Sequence, residues 1–570
     1  MKTKWNLFVV LAIVLGIFVV YAPSINHPFV WTDHAEVEQG ALVPKSLQNF
    51  LDSFTKPKGE AMSTARSAFQ SKTRGNNRYA YFRPIKAITY WIDNFIGSSK
   101  PWSFHLTNIL IHIATCLLIL LVFSSIDGGR YAGVAKIAAL IHAVNPLNIE
   151  VVEWISARSD SLMALFVLSS LWFSLEAGNR SGWRSFVMKA AAGIMAIFAL
   201  WSKESGIVAV PIMAVVAFSL NYQNNKKALA SVYNACWLPG LLVTLALVWR
   251  FLIVSDINLS QFSHKHGLGM WTILYLFGHN LWMSFLPSGM TVADTVVIRN
   301  GPSVAAIAGP LVWISWFAVG VWKIKKHPLL FICSLGWLLA VGPVSQAVVL
   351  IHPRADRYLY LPTIFAACTL AWIFLSLHKT IATKRFLSVI SSVTFVLLIL
   401  LLAFLSRKES EKWSDEIRLF VESLILQPHC IECWNNLAYA QALKGNIGGA
   451  AYSCTAALSI DRKKYRGAKD GFSLRWILSK SLLIQKKGAK AAAVLEEMIF
   501  VLGPNTGLLN MLAMAYMQDK RPAHALAAAN LALELSPDNQ TSLDLLTSAM
   551  NMEIKLGFPL LFSNPEACQQ

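Results

Sequence analysis

Through position 405, apolar residues fill long unbroken runs and polar residues gather between them. A helix needs about 17–25 mostly apolar residues to cross a bilayer. Eleven stretches meet that length, near 5–22, 105–124, 132–148, 158–176, 187–202, 204–220, 234–254, 303–322, 328–348, 358–377 and 386–405. A twelfth, 270–287, is ambiguous. Charge decides it, because Lys and Arg accumulate on cytoplasmic loops. Lys2 and Lys4 place the N-terminus inside, and Arg130, Arg180, Arg184, Lys189, Lys226 and Lys227 then fall on inner loops. Lys323, Lys325, Lys326, Lys379, Lys384 and Arg385 stay inside only if 270–287 dips in and returns, or lies in the membrane plane. The pattern therefore predicts eleven spans and an outer C-terminus. The first run, Trp5 to Val20, has no small-residue cleavage site after it and reads as a retained span.

After about position 406 the pattern changes to apolar residues at helical spacing with charges between them. A 34-residue repeat fits. One copy starts at Thr506, with Leu509, Leu512, Ala513, Tyr516, Ala525, Ala529, Ala532 and Pro537. Others start at Phe472 and Ile431, and small residues at Ala450, Ala491 and Ala525 let paired helices approach closely. About three tetratricopeptide-like repeats are expected, with an insertion near 463–470 and capping helices at 412–427 and 541–555. The fold class is all-α, a polytopic membrane bundle over 1–406 followed by a soluble helical solenoid over 407–570. Such a solenoid presents a concave surface suited to polypeptide segments.

Composition agrees. The chain is 55% hydrophobic and 14% charged, with mean hydropathy +0.49, which excludes disorder and argues against a soluble protein. Its net charge of +19 belongs to inner loops and lipid headgroups, so no nucleic-acid partner follows from it. Cys430, Cys433 and Cys454 lie in the outer repeats, where a disulfide is possible, and Cys433 with Cys454 could staple two helices. The spacing around His429 fits no closed zinc pattern.

The predicted topology sorts the unusual polar residues onto the outer face: Asp33, Arg83, His105, Glu150, Arg158, Lys203, Glu204, Arg354 and Arg357. Ionisable groups at span ends are costly and persist mostly when paired or functional. Asp33 sits among aromatics in Phe29-Val30-Trp31-Thr32-Asp33-His34, with no helix to cap. It is the candidate base. The outer loop, 23–101, also holds an amphipathic segment from Ile88 to Ile96 and a basic stretch, 55–78, that reads as a lid. Arginines facing one carboxylate at a membrane surface suit a phosphate-linked lipid substrate.

These motifs occur in a particular order: Trp31-x-Asp33, Phe82-Arg83-Pro84-Ile85, Phe104-His105-x-x-Asn108, Asn145-Pro146-x-Asn148-x-Glu150, Ser156-Ala157-Arg158-x-Asp160, Ser202-Lys203-Glu204 and Asp356-Arg357-Tyr358-Leu359-Tyr360-Leu361-Pro362. The ordered set resembles the transmembrane and tetratricopeptide-repeat-containing O-mannosyltransferases, members of the GT-C superfamily. The resemblance covers nearly the whole chain. It implies a GT-C-like bundle and transfer of a sugar, with inversion, from a polyprenyl-phosphate monosaccharide to a protein hydroxyl. Asp33 is then the base. Arg83, His105, Asn108, Glu150, Arg158, Lys203, Glu204, Arg354 and Arg357 bind or frame the substrate, and the repeats present the acceptor. No cofactor beyond the lipid-linked donor is expected, and no divalent metal. Two departures matter. A paired acidic motif is reduced to Thr32-Asp33, and a His-Pro-x-His-x-Glu motif carries Asn145 and Asn148. They leave the sugar open and keep two alternatives alive: a transferase acting on a glycan or a lipid headgroup, and a decayed, membrane-anchored scaffold. The compact size favours a bacterial inner membrane over the endoplasmic reticulum.

Overall fold

The computed structural model describes residues 7–555 apart from 41, 45, 56–57, 60–79, 224–226, 254–267, 294, 347–349, 351, 382–383, 461–464 and 467–471. Most of the basic stretch 55–78, and most of the insertion near 463–470, lie outside the described residues. The chain forms two compact units, Met1–Glu422 and Ser423–Gln570.

The first unit is a helix bundle. Its helices are α1 (Leu7–Tyr21), α2 (Leu47–Thr55), α3 (Pro84–Gly97), α4 (Pro101–Ser125), α5 (Ala132–Ala143), α6 (Ile149–Glu153), α7 (Arg158–Gly178), α8 (Gly182–Ser202), α9 (Ala209–Gln223), α10 (Ala228–Ile253), α11 (Met270–Phe285), α12 (Val304–Lys323), α13 (Pro328–Val341), α14 (Tyr360–Ile381) and α15 (Arg385–Ser410). A further helix, α16 (Glu416–Leu426), carries the boundary between the units. Among the described residues nine helical segments are long and apolar enough to cross a membrane, or ten if one bent pair counts as a span. Their outward faces are apolar: Leu397, Leu400 and Phe404 of α15 are all exposed. Leucines in such number would not face water, so this is a multi-pass membrane protein.

Two of the eleven expected spans are not single long helices. The run 132–148 breaks at Pro146, which cannot continue α5, and the chain turns by 57° into α6. The run 328–348 yields the short α13, which passes into a 3-10 turn at Gly342–Val344. The ambiguous stretch becomes α11, sixteen residues long and about 24 Å at the usual helical rise. Thr272 meets Arg299, Gly278 meets Gly309 and Phe285 meets Trp316, so α11 runs parallel to α12. After α11 the chain returns, and the Thr291 backbone N–H reaches Asp356 at the head of α14, 3.1 Å away. The element thus enters and leaves by one end of the bundle. Glycine is required at the crossing, because a Cβ on Gly278 would collide with the Ala305 carbonyl.

The alternation of helices brings the end of α1, the starts of α4 and α7, the α8–α9 connection, the end of α10 and the start of α14 to that same end. Helix α3 lies across it, with Phe95 and Ile96 exposed on one side and Lys86, Tyr90 and Asp93 buried on the other.

The second unit is a row of helix pairs: α17 (Ile431–Leu443) with α18 (Ile447–Leu458), α19 (Phe472–Ile484) with α20 (Gly488–Leu502), and α21 (Thr506–Gln518) with α22 (Pro522–Leu535), followed by α23 (Gln540–Lys555). First helices begin at the residues where the sequence repeat begins. Ala450, Ala491 and Ala525 are fully buried where paired helices meet. One expectation is corrected here. Cys433 bonds to Cys430, not Cys454, which is a buried free thiol. The entry into α17 already holds the Cα atoms of Cys430 and Cys433 5.2 Å apart, within bridging range.

Candidate functional site

Asp33 is held from the moment the chain leaves α1. Trp31 adopts a left-handed backbone (φ 56°), uncommon for a bulky residue, and its ring stacks on Trp154 at 4.4 Å. Its N–H donates to Glu416 at 2.9 Å. A π-turn over His34–Glu38 follows, a departure from α geometry that recurs at functional sites. Between these two irregularities the Asp33 side chain is fully enclosed. Its Oδ1 accepts two hydrogen bonds from Ser156, the backbone N–H at 2.8 Å and the hydroxyl at 2.6 Å. Its Oδ2 has the Val30 N–H at 3.5 Å, a weak contact. Burial pushes the Asp33 carboxyl up to about 7; the Ser156 hydroxyl opposes the rise, and the charge of Glu36 adds to it. A carboxylate poised near neutrality suits proton abstraction. Neighbouring His34 is lifted to about 9 by its hydrogen bond to Glu416, against desolvation and with help from Glu38.

Behind Asp33, α3 organises the turn at Ile155–Ala157. Lys86 Nζ donates to Glu36 at 2.6 Å and to the Ser156 carbonyl at 2.8 Å. Tyr90 donates to the Ile155 carbonyl at 3.0 Å. Arg158, fully buried, donates through Nε to Asn108 at 2.6 Å, through Nη1 to Asp93 at 2.5 Å and Thr89 at 3.1 Å, and through Nη2 to the Phe104 carbonyl at 2.7 Å. Its guanidinium also lies over the Tyr90 ring, 4.9 Å away. Its carboxylate partner is therefore Asp93. His105 is buried beside His27, and His27 meets Glu153 at 3.0 Å.

A second group of charges meets this core through Arg83, whose field reaches Lys86, and Arg357, which lies over Trp154. Glu150 accepts from Arg357 twice, from Nη1 at 2.5 Å and from the backbone N–H at 2.7 Å. Arg357 also lies over Trp154 at 5.0 Å. Lys203 reaches Asp160 at 2.5 Å, stands over the Tyr358 ring, and is close enough to Arg83 and Arg357 to feel their fields. Glu204 accepts from Arg83 at 2.8 Å and from Arg250 at 2.7 Å. Arg354 is buried nearby in the chain. Among the described residues, four cations (Arg83, Lys203, Arg250 and Arg357) thus pair with three carboxylates (Asp160, Glu150 and Glu204). The asparagines at the variant motif serve the backbone: Asn145 Oδ1 accepts from the Leu147 N–H at 3.0 Å, and Asn148 donates to the His142 carbonyl at 2.7 Å.

Glu36, Lys86, Asp93, Ser156 and Arg250 carry no role that the sequence alone reveals. Asp93 lies on the buried side of the amphipathic segment, Lys86 two residues before that segment begins, and Arg250 is hidden at the end of an apolar run.

The fold and the site define a polytopic helical membrane protein with a buried carboxylate and a cation-rich rim at one end of its bundle. No family profile matches the chain. Among curated proteins it is similar to protein O-mannosyl-transferase TMTC3 of Mus musculus, 24% identical over 404 residues, covering 63% of this chain and 42% of the relative. It is also similar to protein O-mannosyl-transferase TMTC1 of Homo sapiens, 22% identical over 437 residues, covering 68% and 48%. The chain thus spans less than half the length of either relative. Among solved structures, the oligosaccharyltransferase AglB of Archaeoglobus fulgidus aligns with a TM-score of 0.39 and 14% identity, over 72% of this chain and 56% of that one.

Proposed function

We propose that this chain is a membrane glycosyltransferase that moves a sugar from a polyprenyl-phosphate monosaccharide to a Ser or Thr hydroxyl of a protein. The observation that carries this reading is Asp33: a buried carboxyl pushed up to about 7 and anchored through one oxygen, at the end of the bundle that also gathers Arg83, Lys203, Arg250 and Arg357. The similarity to proteins named O-mannosyl-transferases supports it. In the reaction, Asp33 takes the proton of the acceptor hydroxyl. The acceptor oxygen bonds to the anomeric carbon from the face opposite the phosphate. The bond between that carbon and the phosphate oxygen breaks, and its electron pair leaves with the polyprenyl phosphate. Arg83, Lys203, Arg250, Arg354 and Arg357 stabilise that departing charge. Arg158, Asn108 and His105 hold the framework, and Glu150 and Glu204 orient the arginines. The site faces the extracytoplasmic side, with the basic loops inside, and the repeat unit presents the acceptor polypeptide.

Full enclosure of Asp33 favours a second reading, in which the carboxylate pins the first loop to the turn at Ile155–Ala157 and the chain is a scaffold. Radiolabelled sugar transfer from a panel of polyprenyl-phosphate monosaccharides, followed in membranes carrying the wild type, tests the enzyme. Binding of the lipid phosphate by Arg357→Ala separates the two readings: an enzyme loses it while the repeats stay folded, and a scaffold has none to lose.

A further inference from the structure

Asp33 has two oxygens in unlike surroundings. Oδ1 takes both donors of Ser156, whereas among the described residues Oδ2 meets only the Val30 N–H, at 3.5 Å. A carboxylate oxygen that already accepts two good hydrogen bonds is a poor acceptor for a further proton. Ser156 is itself held from behind. The Ile155 carbonyl that accepts from Tyr90 belongs to the same planar peptide group as the Ser156 N–H that donates to Asp33. Donation at one end of that group strengthens donation at the other. The Ser156 carbonyl is fixed by Lys86, and Lys86 by Glu36. Lys86 and Tyr90 are four residues apart on one face of α3, and the next pair on that helix, Thr89 and Asp93, holds Arg158. One helix thus templates the whole stretch from Ile155 to Arg158.

We infer that Ser156, clamped by Lys86 and Tyr90, is a positioning residue for the transfer reaction: it ties down Asp33 Oδ1 and leaves Oδ2 as the oxygen that receives the acceptor's proton. This rests on the reading of Asp33 as the base. The charged and titratable groups facing Asp33 are Glu36, Lys86 and Tyr90. None of them replaces the two donors of Ser156 at Oδ1.

The test is the pH profile of kcat/KM for sugar transfer, with polyprenyl-phosphate mannose as the donor probe. Ser156→Ala removes a donor that favours the ionised carboxylate. Its acid limb is expected to move up by about one pH unit, a loss of about tenfold at pH 6 that closes by pH 9. Ser156→Thr keeps the hydroxyl and should keep the limb in place. Tyr90→Phe should move it in the same direction by less. An even loss across the pH range, or an unmoved limb in Ser156→Ala, overturns the inference. If Ser156→Ala does not insert, an unmoved limb in Tyr90→Phe does the same. Asp33→Asn separates the two levels. If it is inactive while the Ser156 limb stays put, only this inference fails. If it transfers sugar like the wild type, the reading of Asp33 as base fails and this inference goes with it.

Discussion

Asp33 combines full enclosure with a carboxyl pushed up to about 7, and the two together fix how activity should respond to pH. A base must be ionised to work, and its ionised fraction grows as pH rises through its pKa. Log kcat/KM should therefore climb with unit slope below about pH 7 and level off above it, a profile read from initial rates between pH 5 and 9. Arg158 makes a different prediction, about stability. Its pair with Asp93 is fully buried, so Asp93→Asn leaves a cation without its counter-charge and should cost on the order of 3–5 kcal/mol. Thermal unfolding of the purified protein in detergent checks that loss. At this scale the sequence spoke for residues whose type is costly where it stands. An aspartate after a span, or arginines heading a span, are conspicuous because burying charge is expensive. Ser156 was silent, since a serine near a helix start is ordinary and its two donors acquire meaning only when a loop 123 positions away folds onto it. The partner of Arg158 was silent for the same reason: Asp93 lies 65 residues upstream, and the acids nearer in sequence, Glu150 and Glu153, pair with Arg357 and His27.

Elements were legible wherever one local rule sufficed. Apolar length found the spans, and the 34-residue period found the starts of α17, α19 and α21. The exceptions have local causes. Pro146 bends one run, α13 stops short at a proline-containing turn, and α11 turns back. The last of these depended on charge bookkeeping across several loops, and the parallel course of α11 and α12 agrees with a segment that dips in and returns. That packing depends on bare backbone at Gly278 and Gly309. Gly278→Val should part the two helices and lower stability by about 1–3 kcal/mol, visible as a lower melting temperature and a smaller monodisperse fraction on size exclusion. The boundary between the units also lies later than the change in composition. The first unit runs to Glu422, and Glu416 is held in it by the Trp31 N–H and His34 near the first span.

For the whole molecule, the gathering of charged side chains at one end of the bundle is the feature that composition alone conceals. The opposite ends of these helices, at or near the α4–α5, α7–α8 and α9–α10 connections and the end of α14, carry Arg130, Arg180, Lys189, Lys227 and Lys379. If the basic end is cytoplasmic, a cysteine introduced at Ser98 reacts with an impermeant maleimide added outside intact cells, and one at Asn179 reacts only after permeabilisation. The reverse pattern would put the site on the wrong side for an extracytoplasmic acceptor. The proposed chemistry rests on one carboxylate, so the most direct measurement compares sugar transfer by the wild type and by Asp33→Asn across the panel of polyprenyl-phosphate donors. Transfer to protein from at least one donor is expected, with a fall of about a hundredfold or more in the variant at equal insertion. Equal transfer by both proteins would contradict it.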